Sequence, residues 1–178
     1  SIEDDYVILM LEDFFLRSKI NNEDIHYFIK YIQKYDLSMI RLIKRPQGTC
    51  LNTKHPKLTQ IHKDDLFRVS TQATIWNKKI LKNLLKKNEN IWEFELNGSV
   101  RSKSLMNFFC VKNNVMTYRH HVVERGKWFP WYAFYYSFVN KVGIDLKTRS
   151  VMGLFETFKW ILNKFFAAFF SKLPAFVS

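Results

Sequence analysis

The stretch Tyr6-Val7-Ile8-Leu9-Met10-Leu11-Glu12-Asp13-Phe14-Phe15 sets six apolar residues in a row before two adjacent carboxylates, with no turn residue between them. A short continuous apolar run is the pattern of a strand buried on both faces, usually in a parallel sheet. Ligands of open α/β sheets collect beyond the carboxyl ends of such strands. Two acids there are suited to hold a divalent cation, Mg or Mn, through oxygen ligands, and the cation in turn to hold phosphate. The same pair also fits a strand that ends in solvent with two hydrated acids. Outward from this stretch, Asn21-Asn22-Glu23-Asp24 reads as a helix cap, and Ile25, Phe28, Ile29 and Ile32 fall on one face of a helix over 23–35. Leu37 to Ile43 is then a second strand. The β-α-β unit implies a right-handed crossover and a parallel pair, which places the chain in the α/β class.

Residues 45–66 carry Pro46, Gly48, Asn52, His55 and Pro56 among polar neighbours and read as a long loop. Phe67 to Trp76 reads as extended, and 78–87 as a short helix with Ile80, Leu81, Leu84 and Leu85 inward. Ile91-Trp92-Glu93-Phe94-Glu95-Leu96 fits strand or helix, and its state stays open. Phe108–Val111 and Val115–Tyr118, joined by Lys112-Asn113-Asn114, read as a hairpin. Val122 to Trp128 reads as a glycine-containing loop. From Val151 to Lys172 the pattern is an amphipathic helix, with Leu154, Phe155, Phe158, Ile161, Leu162, Phe165, Phe166, Phe169 and Phe170 on one broad arc. The division expected is one domain over 1–150 and a C-terminal amphipathic helix over 151–178.

A chain of 178 residues suits one well-filled domain. A net charge of +12 points to a nucleic acid, an anionic membrane face or a phosphorylated substrate as partner. Cys50 and Cys110 have no CxxC spacing, which argues against a zinc knuckle or a disulfide scaffold and suggests a reducing, cytoplasmic setting. No apolar run reaches the ~20 residues that a spanning helix needs. P-loop, GxGxxG, HExxH and GxSxG patterns do not occur.

Five groups of residues are suited to chemistry. The first is Glu12-Asp13. The second is Ser70-Thr71-Gln72 with Trp76, hydroxyls and a carboxamide that can orient a sugar beside an indole that can stack on it; a strand with exposed polar residues and a core tryptophan fits the local pattern better. The third is Trp92-Glu93-Phe94-Glu95, where aromatic neighbours can desolvate a carboxylate toward general-base duty, or where an amphipathic element simply alternates. The fourth is Arg101, Lys103, Arg119, His120, His121, Arg125 and Lys127. Arg125-Gly126-Lys127 is suited to gripping a diphosphate, and one histidine, His121, to serving as a third metal ligand beside carboxylates. The fifth is the Phe-rich tail, suited either to a membrane interface or to packing on the domain.

In order, YVILMLEDFF, the unit ending in MIRLI, VSTQATIW-x-KKIL-x-NLLK, ENIWEFELNGS, and Tyr118 through GKW resemble bacterial GT-A-type glycosyltransferases of surface polysaccharide synthesis, such as capsule and lipopolysaccharide. The resemblance covers about residues 4 to 130. It implies a partial GT-A-like mixed sheet flanked by helices, a nucleotide-sugar donor and a saccharide or lipid-linked acceptor, with no nucleic acid. By this likeness Glu12 and Asp13 bind the metal and the donor diphosphate, although they depart from the usual Asp-x-Asp form. Glu95 is the general base of an inverting transfer, with Glu93 in reserve. Ser70, Thr71, Gln72, Trp76 and Trp92 border sugar and acceptor, and Arg101, Arg125 and Lys127 face the leaving diphosphate. The nucleotide-binding β-α-β half that opens GT-A domains has no counterpart ahead of Tyr6, so the chain reads as a fragment of a longer enzyme or a degenerate copy. The expected place is the cytoplasm, peripheral to the inner face of the membrane. Alternatives are a non-catalytic basic and aromatic module, binding an anionic membrane or nucleic acid, and a pseudo-enzyme partner.

Overall fold

The computed structural model describes residues 3–50, 54–139, 143–144, 147 and 149–170. Asn52, the tail beyond 170 and the side chains of Phe169 and Phe170, all used in the sequence reading, lie outside the described residues. The chain divides into two compact units, Ser1–Tyr118 and Arg119–Ser178, where the sequence reading placed its division at residue 150.

The first unit is α/β with a mixed sheet. Its elements are β1 (Tyr6–Leu9), β2 (Phe15–Leu16), α1 (Asn22–Lys34), β3 (Met39–Arg41), β4 (Leu58–Gln60), β5 (Thr74–Asn77), α2 (Lys78–Leu84), α3 (Ile91–Arg101) and β6 (Phe108–Val111). β7 (Tyr118–Arg119) spans the residue where the second unit begins and forms a two-stranded ribbon with β2. The main sheet runs β1-β5-β3-β6-β4. β5 is antiparallel to both β1 and β3, and β3 is parallel to β6.

Side-chain alternation along the central strands builds two cores. Ile40, Ile75, Phe109 and Val111 face Phe28 and Ile32 of α1. Met39, Trp76, Phe108 and Cys110 face Leu81 and Leu84 of α2 and Phe94 of α3. Covered on both sides, β3 and β6 are buried at every residue, as expected of interior strands. α1 starts where Asn21 accepts the Glu23 N–H, so the expected helix forms within a residue of its expected limits.

Three expectations change, and one segment whose state was open takes a definite form. β1 is an edge strand and only partly buried, with Ile8 42% exposed, because its far neighbour β3 is reached across β5. β1 and β3 are parallel, as the β-α-β reading requires, but they are not paired. The expected long loop over 45–66 contains β4, which closes the opposite edge against β6. The expected hairpin after Phe108 does not form. Both edges of β6 are taken by β3 and β4, and Val115 N–H donates instead to Leu42 O at 2.9 Å. Finally, Ile91–Arg101 is helical, fixed by a capping box in which Asn90 and Glu93 bond reciprocally.

The second unit holds β8 (Val123–Glu124), β9 (Lys127–Trp128), α4 (Pro130–Phe134), a π-helical turn (Tyr135–Val139) and α5 (Leu154–Phe170). The segment read as a loop is the β8–β9 hairpin. Arg125 and Gly126 occupy its turn with φ of 51° and 77°, the paired positive values that a two-residue hairpin turn requires and that glycine adopts without strain. No helix among the described residues is long and apolar enough to cross a membrane.

Candidate functional site

β1, β3 and β6 run in one direction, so their carboxyl ends share one edge of the sheet with the start of antiparallel β5. Glu12-Asp13 forms a turn just beyond β1 at that edge, and Ser70-Thr71-Gln72 leads into β5 there. α3 brings Glu95 to the same place. Its Oε1 accepts the Thr71 N–H at 2.6 Å, the Thr71 Oγ1 hydroxyl at 2.8 Å and the Ser70 hydroxyl at 3.2 Å. All three bonds fall on Oε1, and Oε2 takes none of them.

The register of α3 is set by the turn after Glu95. Ser99 Oγ donates to Glu95 O at 2.6 Å and accepts the Val69 N–H at 3.0 Å. A Cβ on Gly98 would meet Val69 Cγ1 at 3.1 Å, so the missing side chain is what lets the helix lie this close.

Tyr118, which sequence reasoning did not single out, joins the two halves of the edge. Its ring stacks on Phe14, next to Asp13, with centroids 4.4 Å apart. Its hydroxyl donates to Gln72 Oε1 and lies 3.5 Å from the Ala73 N–H that donates to it. Burial pushes the phenol up to about 12, with the Ala73 N–H and Arg41 acting against that rise. Tyr118 is therefore a neutral donor across the ordinary pH range.

Arg41 was also missed, although an arginine inside the run Met39-Ile-Arg-Leu42 signals an engaged buried charge. It is 1% exposed and donates to the carbonyls of Pro46 and Phe67 at 2.6 Å and of Arg68 at 3.2 Å. Burial lowers its guanidinium to about 10, opposed by the fields of Cys110 and Glu95. It stays charged at neutral pH and supplies a fixed positive charge near the site.

The other candidates separate clearly. Trp92, 69% exposed, stands one turn before Glu95 on α3, near it on the helix surface. Glu93 is occupied in the capping box, accepting the Asn90 N–H at 2.8 Å. Trp76 is fully buried and packs edge-on against Phe108, so it is a core residue and not a stacking platform. Arg101 makes a two-pronged pair with Glu89, both bonds 2.6 Å, and donates to Leu84 O. Its head group ties α3 to the end of α2, which accounts for it without a diphosphate. Arg125, Lys127 and His121 belong to the second unit. There Lys127 pairs with Glu156 at 2.7 Å and His121 with Glu124.

Among the described residues no group of three or more His, Cys, Asp or Glu is arranged to hold a metal. Asp13 nevertheless has a buried Oδ1 with no hydrogen-bond partner, an arrangement that is costly for a carboxylate unless a cation or donor meets it. The turn thus fits a Mg-type ion held by one carboxylate with substrate phosphates as further ligands.

No family model, no curated protein and no solved structure gives a significant match to the chain.

Proposed function

We propose that this chain carries the acceptor-side chemistry of a GT-A-like glycosyltransferase, moving a sugar from a nucleotide-sugar donor to a hydroxyl of a saccharide or lipid-linked acceptor with inversion. The observation that carries the reading is the Glu95 carboxylate, clamped through one oxygen by Ser70 and Thr71 at the sheet edge where the acidic turn of β1 emerges. Supporting it are the exposed Trp92 one turn away, suited to stacking on a sugar ring, and the Gln72–Tyr118 pair beside it.

In this mechanism Glu95 Oε2 takes the proton of the acceptor hydroxyl. The acceptor oxygen bonds to the anomeric carbon as the bond to the diphosphate oxygen breaks, and that electron pair leaves with the nucleoside diphosphate. Fixing Oε1 with three donors holds the base in one orientation, which is how positioning lowers a barrier. Asp13 would hold a divalent cation, which when bound offsets charge on the leaving diphosphate. Arg41 adds a buried positive charge nearby.

The test uses a panel of nucleotide sugars with Mg or Mn. At least one should raise the melting temperature of the chain and be slowly hydrolysed. Glu95→Gln should keep that thermal shift and lose roughly 10²–10⁴ of the hydrolysis, the usual worth of a positioned base. A panel without any binder, or hydrolysis indifferent to Glu95→Gln, overturns the assignment.

A further inference from the structure

We infer that α5 lies in the plane of an anionic phospholipid surface, seated by its phenylalanine arc. At helical spacing Leu154, Phe155, Phe158, Ile161, Leu162, Phe165 and Phe166 form one continuous arc, and every one of them is exposed; Leu154 is 88% and Phe155 79% exposed. The opposite side of the helix is the packed one. Thr157 and Trp160 are the partly buried positions, and Trp160 rests against His121 at 5.3 Å and Phe129 at 5.1 Å. The helix therefore docks through one tryptophan and turns its apolar arc outward, the reverse of a helix that packs for the core.

Charge selects the occupant. Lys159 and Lys164 border the arc on its two sides, where long stems can lie along lipid while the ammonium groups reach phosphates. Residues 119–178 hold nine Lys or Arg against three Asp or Glu, which disfavours a second copy and favours an anionic surface. Beside the arc a pocket of about 250 Å³ is lined by Arg125, Lys127, Lys159, Phe155 and Trp160, with Glu156 as the opposing carboxylate paired to Lys127. Phe155 lines the pocket and also belongs to the arc, so a phosphate seat adjoins an apolar surface. α4 and the following turn add Trp131, Phe134 and Phe138, exposed and ring to ring. This inference stands apart from the transferase reading and rests on none of its residues in the first unit.

The test is sedimentation of the full chain with vesicles of phosphatidylcholine alone or with phosphatidylglycerol, at low and high salt. Binding should require phosphatidylglycerol and weaken with salt. The exposed-face variant Phe158→Asp with Phe165→Asp should lose about tenfold or more of it, as expected when two buried rings are replaced by charges. Arg125→Glu with Lys159→Glu should lose the preference for the anionic lipid. Absence of binding to either vesicle overturns the inference, as does a double-aspartate variant that binds like the parent. An oligomer that the double-aspartate change dissolves, with no lipid binding by the parent, also overturns it in favour of self-association.

Discussion

Glu95 and Thr71, 24 residues apart in sequence, are joined by two bonds to a single carboxylate oxygen, one from a backbone N–H at 2.6 Å and one from a hydroxyl at 2.8 Å. The backbone bond fixes where the segment before β5 runs, and the hydroxyl bond fixes how the carboxylate is turned. Losing the second while keeping the first isolates orientation from folding.

Thr71→Val removes that hydroxyl at nearly constant volume, and Thr71→Ser restores it. A hydrogen bond to a charged group contributes about 1.5–3 kcal/mol, so donor turnover should fall by about tenfold or more in Thr71→Val and recover in Thr71→Ser. Steady-state kinetics on both variants checks this, and equal impairment in the two would remove the hydroxyl from the mechanism.

Glu93 offers the opposite expectation. Its carboxylate accepts the Asn90 N–H in the helix cap, so Glu93→Ala should cost about 0.5–1.5 kcal/mol of stability, the net worth of one hydrogen bond, and Glu93→Gln, which can still cap, much less. Turnover per folded molecule should be unchanged in both. Urea unfolding together with kinetics tests it; a large turnover loss in Glu93→Gln would move the base from Glu95 to Glu93.

Much of this arrangement is legible in the sequence because it is local. Helical spacing from Ile25 to Ile32 and the Asn21 cap place α1 almost to the residue, whereas the contact of Ser70 and Thr71 with Glu95 spans 24 residues or more and has no local signal. What escapes is set by tertiary pairing. The apolar run from Tyr6 reads as interior, yet it lies at an edge, because β5 returns from later in the chain to separate it from β3. Trp76 reads as a sugar platform because aromatic chemistry is the same in a core and in a cleft, and burial alone distinguishes them. Tyr118 carries no spacing signal, since its partners Phe14 and Gln72 are distant in sequence.

Trp76 is fully buried with its indole N–H lacking a partner. Trp76→Ala should therefore destabilise by about 3–5 kcal/mol. Trp76→Phe, which also removes the orphaned donor, should cost less than half as much, and donor turnover of the folded protein should persist. A selective loss of sugar affinity in Trp76→Phe would return this residue to the site.

The Glu89–Arg101 pair predicts a pH signature. The Arg101 guanidinium holds the Glu89 carboxyl below its ordinary value of 4.5, helped by Asn97. A depressed folded value means that the pair's stabilisation is complete above the ordinary carboxylate range and is lost as pH falls through the lower folded value. The gap in melting temperature between parent and Arg101→Met should thus be widest near neutrality and close on acidification. A pH-independent gap would mean that the arginine acts through packing alone.

Arg41 and Arg68 together donate to five main-chain carbonyls, those of Pro46, Phe67, Arg68, Ile61 and Leu105. Two guanidinium groups thus replace the ladder that this irregular connection lacks. Anyone redesigning the 61–68 linker for length or solubility would find its middle exposed but its two ends, Ile61 and Arg68, anchored inside: without either cation, two or three peptide oxygens would lose their side-chain donor.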